Sequence, residues 1–106
     1  MRFDPEMMRD ILQTVENIPT GEVFNGSIAF EDRPQAEANE HLQLLLDDEY
    51  LKGRTILDHR GSPHSFLIRG LTMKGHQFLA NARNDTIWKK VLAQAKEKGQ
   101  SVGITV

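Results

Sequence analysis

Ala38-Asn39-Glu40-His41-Leu42-Gln43-Leu44-Leu45-Leu46-Asp47-Asp48-Glu49-Tyr50-Leu51 is the stretch on which the fold of this chain turns. Leu42, Leu45 and Leu46 fall at i, i+3 and i+4, which sets them on one helix face. Tyr50 and Leu51 stand at the helix end, where the chain must turn. Upstream, Arg33-Pro34 opens the helix, because proline suits a first turn whose N–H groups lack partners. The helix is expected to run to about Asp48.

Downstream, Lys52–Leu57 reads as a strand and Asp58-His59-Arg60-Gly61-Ser62-Pro63-His64 as a turn cluster. Ser65–Arg69, carrying Phe66 and Ile68, returns as a second strand, so a hairpin with a polar tip is expected. Thr72 can cap the next helix, whose inner face is Gly75, Phe78, Leu79 and Ala82. Asn84-Asp85 breaks that helix, and Asp85 is expected to cap a last one, Thr86–Lys98, ended by Gly99. Ser101–Val106 reads as a loose apolar tail or a brief strand.

The N-terminal part begins with Asp4-Pro5, a capping carboxylate followed by a first-turn proline. Met8, Ile11, Leu12, Val15 and Ile18 follow at helical spacing, and Pro19-Thr20-Gly21 stops the helix. Glu22–Phe30 leaves two readings open: a short hairpin about Asn25-Gly26, or one strand with an irregular end. There is room here for a strand and little for a further helix. Leu12, Val15, Leu42, Leu45, Phe66, Ile68, Phe78 and Leu79 are expected to share one core.

The 106 residues suit a single domain, 1–106. No cysteine is present, which excludes disulfides and thiolate metal sites. No apolar run approaches the roughly 20 residues of a membrane span, and Met1-Arg2-Phe3-Asp4-Pro5 lacks a signal peptide's apolar region. A cytoplasmic protein without membrane contact is expected. The net charge of −2 conceals an asymmetry: residues 1–51 hold 3 Lys/Arg and 12 Asp/Glu, residues 52–106 hold 10 and 3. Such halves suit a basic face turned to a polyanion, complementary faces between subunits, or an ordinary solvated surface.

The helix–strand–turn–strand order predicts an α+β fold, a winged helix-turn-helix with a β-hairpin wing and two additional C-terminal helices. His41-Leu42-Gln43-Leu44-Leu45, with Tyr50-Leu51 beyond, is similar to the end of the recognition helix in many bacterial winged-helix regulators. Those usually carry glycine before the final apolar pair; here Glu49 holds that place. Leu71-Thr72-Met73-Lys74-Gly75-His76-Gln77-Phe78-Leu79, continued by Ala82-Arg83-Asn84-Asp85-Thr86-Ile87-Trp88, resembles the often prophage-encoded family called domain of unknown function 2513. That resemblance covers roughly residues 3–98. It implies a winged-helix-like fold and a bacterial or phage context, and no established activity.

Gln35, Asn39 and Gln43, four apart, line one polar stripe of the central helix. They are candidates for bidentate contacts to adenine, or members of a solvated face. Glu37, Glu40, Asp47 and Asp48 on the same helix would repel phosphate. Lys52, Arg54, His59, Arg60, His64 and Arg69 gather on the expected wing, where cations displace counterions from a DNA backbone or blunt a sheet edge. Four histidines without cysteine or a helical i, i+4 pair give no metal site. His41 and His76 are expected at the core boundary. With no nucleophile elbow, phosphate loop or reactive thiol, neither enzyme activity nor a cofactor is expected.

Ile87, Trp88, Val91, Leu92 and Ala95 form an apolar stripe on the last helix. It is expected to pair with a second copy across a two-fold axis, or to be covered by the first helix. Two partner classes follow: double-stranded DNA, bound by a transcription-regulator-like protein that dimerises, or an unidentified protein held by a fold that does not bind DNA.

Overall fold

The computed structural model describes residues 3–61 and 63–98, with the backbone alone described for Pro63, His64 and residues 95–98. Gly99 and the tail at 101–106 lie outside the described residues. The first helix, α1 (Pro5–Glu16), starts as its sequence dictates: the Asp4 carboxylate accepts the Glu6 N–H at 2.9 Å, with Pro5 in the first turn. Met7, Met8, Ile11, Leu12 and Val15 are buried along one face. Strand β1 (Phe24–Gly26) follows. Asn25-Gly26 is not a hairpin turn; both residues pair with β3, opposite Leu67 and Phe66. The turn signal is overridden because this short strand has a partner elsewhere in the chain.

Residues 27–34 are irregular, with Ile28 buried. A two-helix turn motif would place a further helix there. The central helix, α2 (Gln35–Asp47), leads by a tight turn into β2 (Leu51–Leu57), then β3 (Pro63–Leu71), α3 (Met73–Ala82) and α4 (Asp85–Lys98). The fold is α+β: among the described residues, four helices and one antiparallel sheet of order β1-β3-β2.

The α2–β2 turn is a Schellman cap. The Tyr50 N–H donates to the Leu45 carbonyl at 2.8 Å and the Glu49 N–H to that of Leu46 at 3.2 Å. Closing both bonds requires a left-handed residue between helix and strand, and Glu49 takes φ 63°. Thr72 caps α3 through the Gly75 N–H, as its position suggests. The last helix departs from expectation: Asn84, not Asp85, supplies the cap, its Oδ1 accepting the Ile87 N–H at 3.1 Å. Asn84 stands three residues before that donor, the spacing a capping side chain spans.

Two register shifts bend the β2–β3 hairpin. Arg69 is passed over between the pairs Lys52–Gly70 and Gly53–Ile68, and His64 between Ile56–Ser65 and Leu57–Pro63. At the first shift a Cβ on Gly53 would lie 2.0 Å from the Leu67 carbonyl oxygen, so glycine alone fits.

One face of the sheet carries Phe66 and Ile68, fully buried beneath α1 and α2. Leu12, Val15, Leu42, Leu45 and Leu79 belong to the same core, with Phe78 half-buried against it. His41 is not at the boundary. It is 1% exposed and stacks on Phe3 with ring centroids 5.5 Å apart. Its Nδ1 lies 2.7 Å from the Glu37 carbonyl, which can only accept, so Nδ1 carries a proton. Its Nε2 accepts the Asp4 N–H at 2.9 Å. A neutral imidazole satisfies both partners and joins the start of α1 to α2.

Candidate functional site

The pleat of the hairpin sorts its side chains. Leu51 pairs with Leu71 and Thr55 with Phe66 on the helix-covered face. Alternation then places Lys52, Arg54 and Leu67 on the opposite face. Arg69, at the register shift, joins them: Lys52, Gly53, Arg54, Leu67 and Arg69 line a shallow concavity of ≈ 320 Å³. Lys52, Arg54 and Arg69 are exposed, and none has a carboxylate partner among the described residues.

Four other cations are engaged, whereas Lys89 and Lys90 on α4 are exposed. Arg33 pairs with Asp10 at 3.1 Å and lies over the Phe30 ring. Lys74 pairs with Asp48 at 3.2 Å, and Arg83 with Glu16. The Arg9 guanidinium sits over Trp88, 4.6 Å from the ring centroid. Two of these ion pairs, Lys74–Asp48 and Arg83–Glu16, join the basic half to the acidic half, while Lys52, Arg54 and Arg69 stand together on the outer sheet face.

His59 and Arg60 are exposed at the hairpin tip, roughly 13 Å of strand beyond Arg54. The Arg60 N–H donates to the Asp58 carboxylate at 2.8 Å, closing the turn. His64 lies on β3, its side chain outside the described set.

The polar stripe of α2 is engaged inside the chain. Gln35 Nε2 donates to the Ile28 carbonyl and to Asn39 Oδ1, both at 2.9 Å. Gln43 Nε2 donates to Asp47 Oδ1 at 2.8 Å, while its Oε1 accepts the Thr55 hydroxyl at 2.6 Å. These bonds fasten α2 to the β1–α2 connection and to β2. On the exposed side of α2 stand Glu37, Glu40 and Asp47. The Gln35–Asn39 and Gln43–Asp47 links follow i, i+4 spacing, whereas the bonds to Ile28 and Thr55 join residues farther apart in the chain.

The stripe on α4 is divided. Trp88 is 7% exposed, packed edge-on against Phe78 with centroids 6.2 Å apart and covered by Arg9 of α1. Val91 and Leu92 are half-buried, Ile87 is exposed at 39%, and the Ala95 side chain is outside the described set. The chain itself therefore occupies the Trp88 side of the expected dimer seam. Phe78 also meets Tyr50 edge-on at 5.9 Å. Burial pushes the Tyr50 phenol above its ordinary pKa of 10.0, with Lys74 opposing and Asp48 adding to the shift.

Among the described residues no group of three or more His, Asp or Glu side chains is placed to hold a metal ion, and no helix is long and apolar enough to cross a membrane. No curated protein and no solved structure matches the chain. One family profile does, described as Hypothetical protein (DUF2513), over residues 2–101. With nearly the whole chain matched, the protein belongs to the domain of unknown function 2513 family.

Proposed function

We propose that this protein binds double-stranded DNA through the outer face of its β2–β3 hairpin, as a transcription-regulator-like protein of bacterial or phage origin. The observation that carries this reading is the convergence of Lys52, Arg54 and Arg69 on one exposed sheet face without a carboxylate to neutralise them. Cations so placed gain by releasing counterions from a phosphate backbone. The order helix, strand, helix, hairpin supports a winged-helix kinship, with the hairpin as wing and α2 in the position of a recognition helix. The acidic exposed side of α2 and its internally bonded glutamines argue that α2 does not enter the groove. The grip is then on the backbone, with little direct reading of bases.

A salt series with random-sequence duplex tests this. Wild type binds at about 50 mM salt and weakens steeply as salt rises. Arg54→Ala and Arg69→Ala each lower affinity for all duplexes alike and reduce the salt slope by about one. Absence of wild-type binding at low salt removes the reading. The second reading, a protein-interaction module, would then stand on the acidic face formed by Glu37, Glu40 and Asp47.

A further inference from the structure

We infer that a groove beside the C-terminal end of α1 is a separate anion site, shaped for a phosphomonoester, that shares two cations with the sheet face. The groove encloses ≈ 400 Å³, within the range of small-molecule sites, about 300–1,000 Å³. Lys52 and Arg69 line it from β2 and β3, His76 from α3, and Thr20 from the α1–β1 connection. Val15 and Leu71, both buried, form part of its wall.

One carboxylate, Glu16, also reaches this groove. Its charge is met by Arg83 from the end of α3, so it does not cancel Lys52 or Arg69. Two uncompensated cations remain, with an imidazole and a hydroxyl that can donate. A phosphomonoester brings about −1.5 to −2 charges at pH 7 and three acceptor oxygens. A carboxylate or a phosphodiester brings one negative charge and leaves one cation unmet. Arginine adds the forked donor geometry that suits phosphate.

Lys52 and Arg69 line both this groove and the sheet-face concavity. A phosphomonoester in the groove draws on the cations that a polyanion on the sheet needs, and linkage makes the antagonism mutual. That antagonism, unlike the site itself, rests on the DNA reading above. The shared chemistry has two sources: a free small phosphorylated molecule, or the terminal phosphate of a nucleic acid strand lying on the sheet.

The test follows backbone amide resonances of the full chain as inorganic phosphate, adenosine 5′-monophosphate or adenosine is added. Both phosphates should shift Thr20, Gly21, Gly70 and His76, and adenosine should not. His76→Ala should weaken binding of the monophosphate roughly threefold or more, the worth of one hydrogen bond, and leave duplex affinity unchanged. Antagonism of duplex binding by the free monophosphate points to a small ligand. Tighter binding of a 5′-phosphorylated oligonucleotide than of its hydroxyl-ended twin points to a strand end. Silence of those amides at millimolar phosphate, or equal shifts with adenosine, overturns the site even if duplex binds. Shifts without any duplex binding uphold the site and remove only the antagonism and the DNA reading.

Discussion

Gly75 of α3 lies so close to the Tyr50 carbonyl that a Cβ on it would stand 2.3 Å from that oxygen. The same oxygen accepts the Thr72 N–H at 3.2 Å, so a shift away from α3 lengthens that bond. In an unconstrained helix alanine is favoured over glycine by about 1 kcal/mol. Here the sign reverses. Gly75→Ala is expected to destabilise by about 1–3 kcal/mol, the range for overpacking, measured by urea unfolding. A more stable variant would mean that α3 does not sit on the α2–β2 turn.

Glu49 has the opposite sign. Its φ of 63° places an L residue in the left-handed region, a cost of roughly 1–2 kcal/mol. Glycine removes that cost and returns about 0.5–1 kcal/mol of it as unfolded-state entropy. Glu49→Gly should therefore stabilise by about 0.5–1 kcal/mol, shifting the denaturation midpoint without changing the slope. The carbonyl of residue 49, which accepts the Thr72 hydroxyl, is kept in the variant.

The Gln43–Thr55 bond makes the α2 stripe a structural strap. Gln43→Ala and Thr55→Val should each cost about 1 kcal/mol of stability. The double variant should cost less than the sum, because the two share one bond. Duplex sequence preference should be unmoved by Gln43→Ala. A changed preference would return the stripe to base reading.

Tyr50 predicts an alkaline limit. A phenol whose folded pKa is raised stays protonated in the folded state after the unfolded chain has begun to ionise at 10.0. The folded state then binds more protons, so stability falls as pH rises through that window and is unaffected below it. Tyr50→Phe should flatten the decline in unfolding free energy above pH 10.0 relative to wild type. Parallel curves would show that the phenol is not desolvated.

Much of this architecture was legible because it is local. Asp4-Pro5, the spacing of Leu42 and Leu45, the Asp58–Gly61 turn and the Thr72 cap each act within a few residues. Most readings that failed or stayed open involve distant partners; the α4 cap, at Asn84 in place of Asp85, is a local exception. Asn25-Gly26 signals a turn, yet it pairs with β3. His41 looks like a boundary residue until the Asp4 N–H reaches it from the start of α1. For Trp88 the sequence leaves open a seam with a second copy or cover within the chain, and Arg9 and Phe78 lie against it from α1 and α3. For the candidate site, the basic content of the hairpin was visible in the sequence. The selection of Lys52, Arg54 and Arg69 from it depends on the pleat and on the shift at Arg69.

The strand order β1-β3-β2 also dictates a sequence of events. β2 and β3 are neighbours in the chain and close over a short turn, whereas Phe24 cannot meet Ile68 until α2 and the hairpin lie between them. Closing that long loop costs more entropy than closing the hairpin, and three residue pairs offset little of it. β1 should therefore dock last during folding and release first. Its amides should exchange with solvent by local opening, while those amides of β3 that donate to β2 exchange only when the whole domain unfolds.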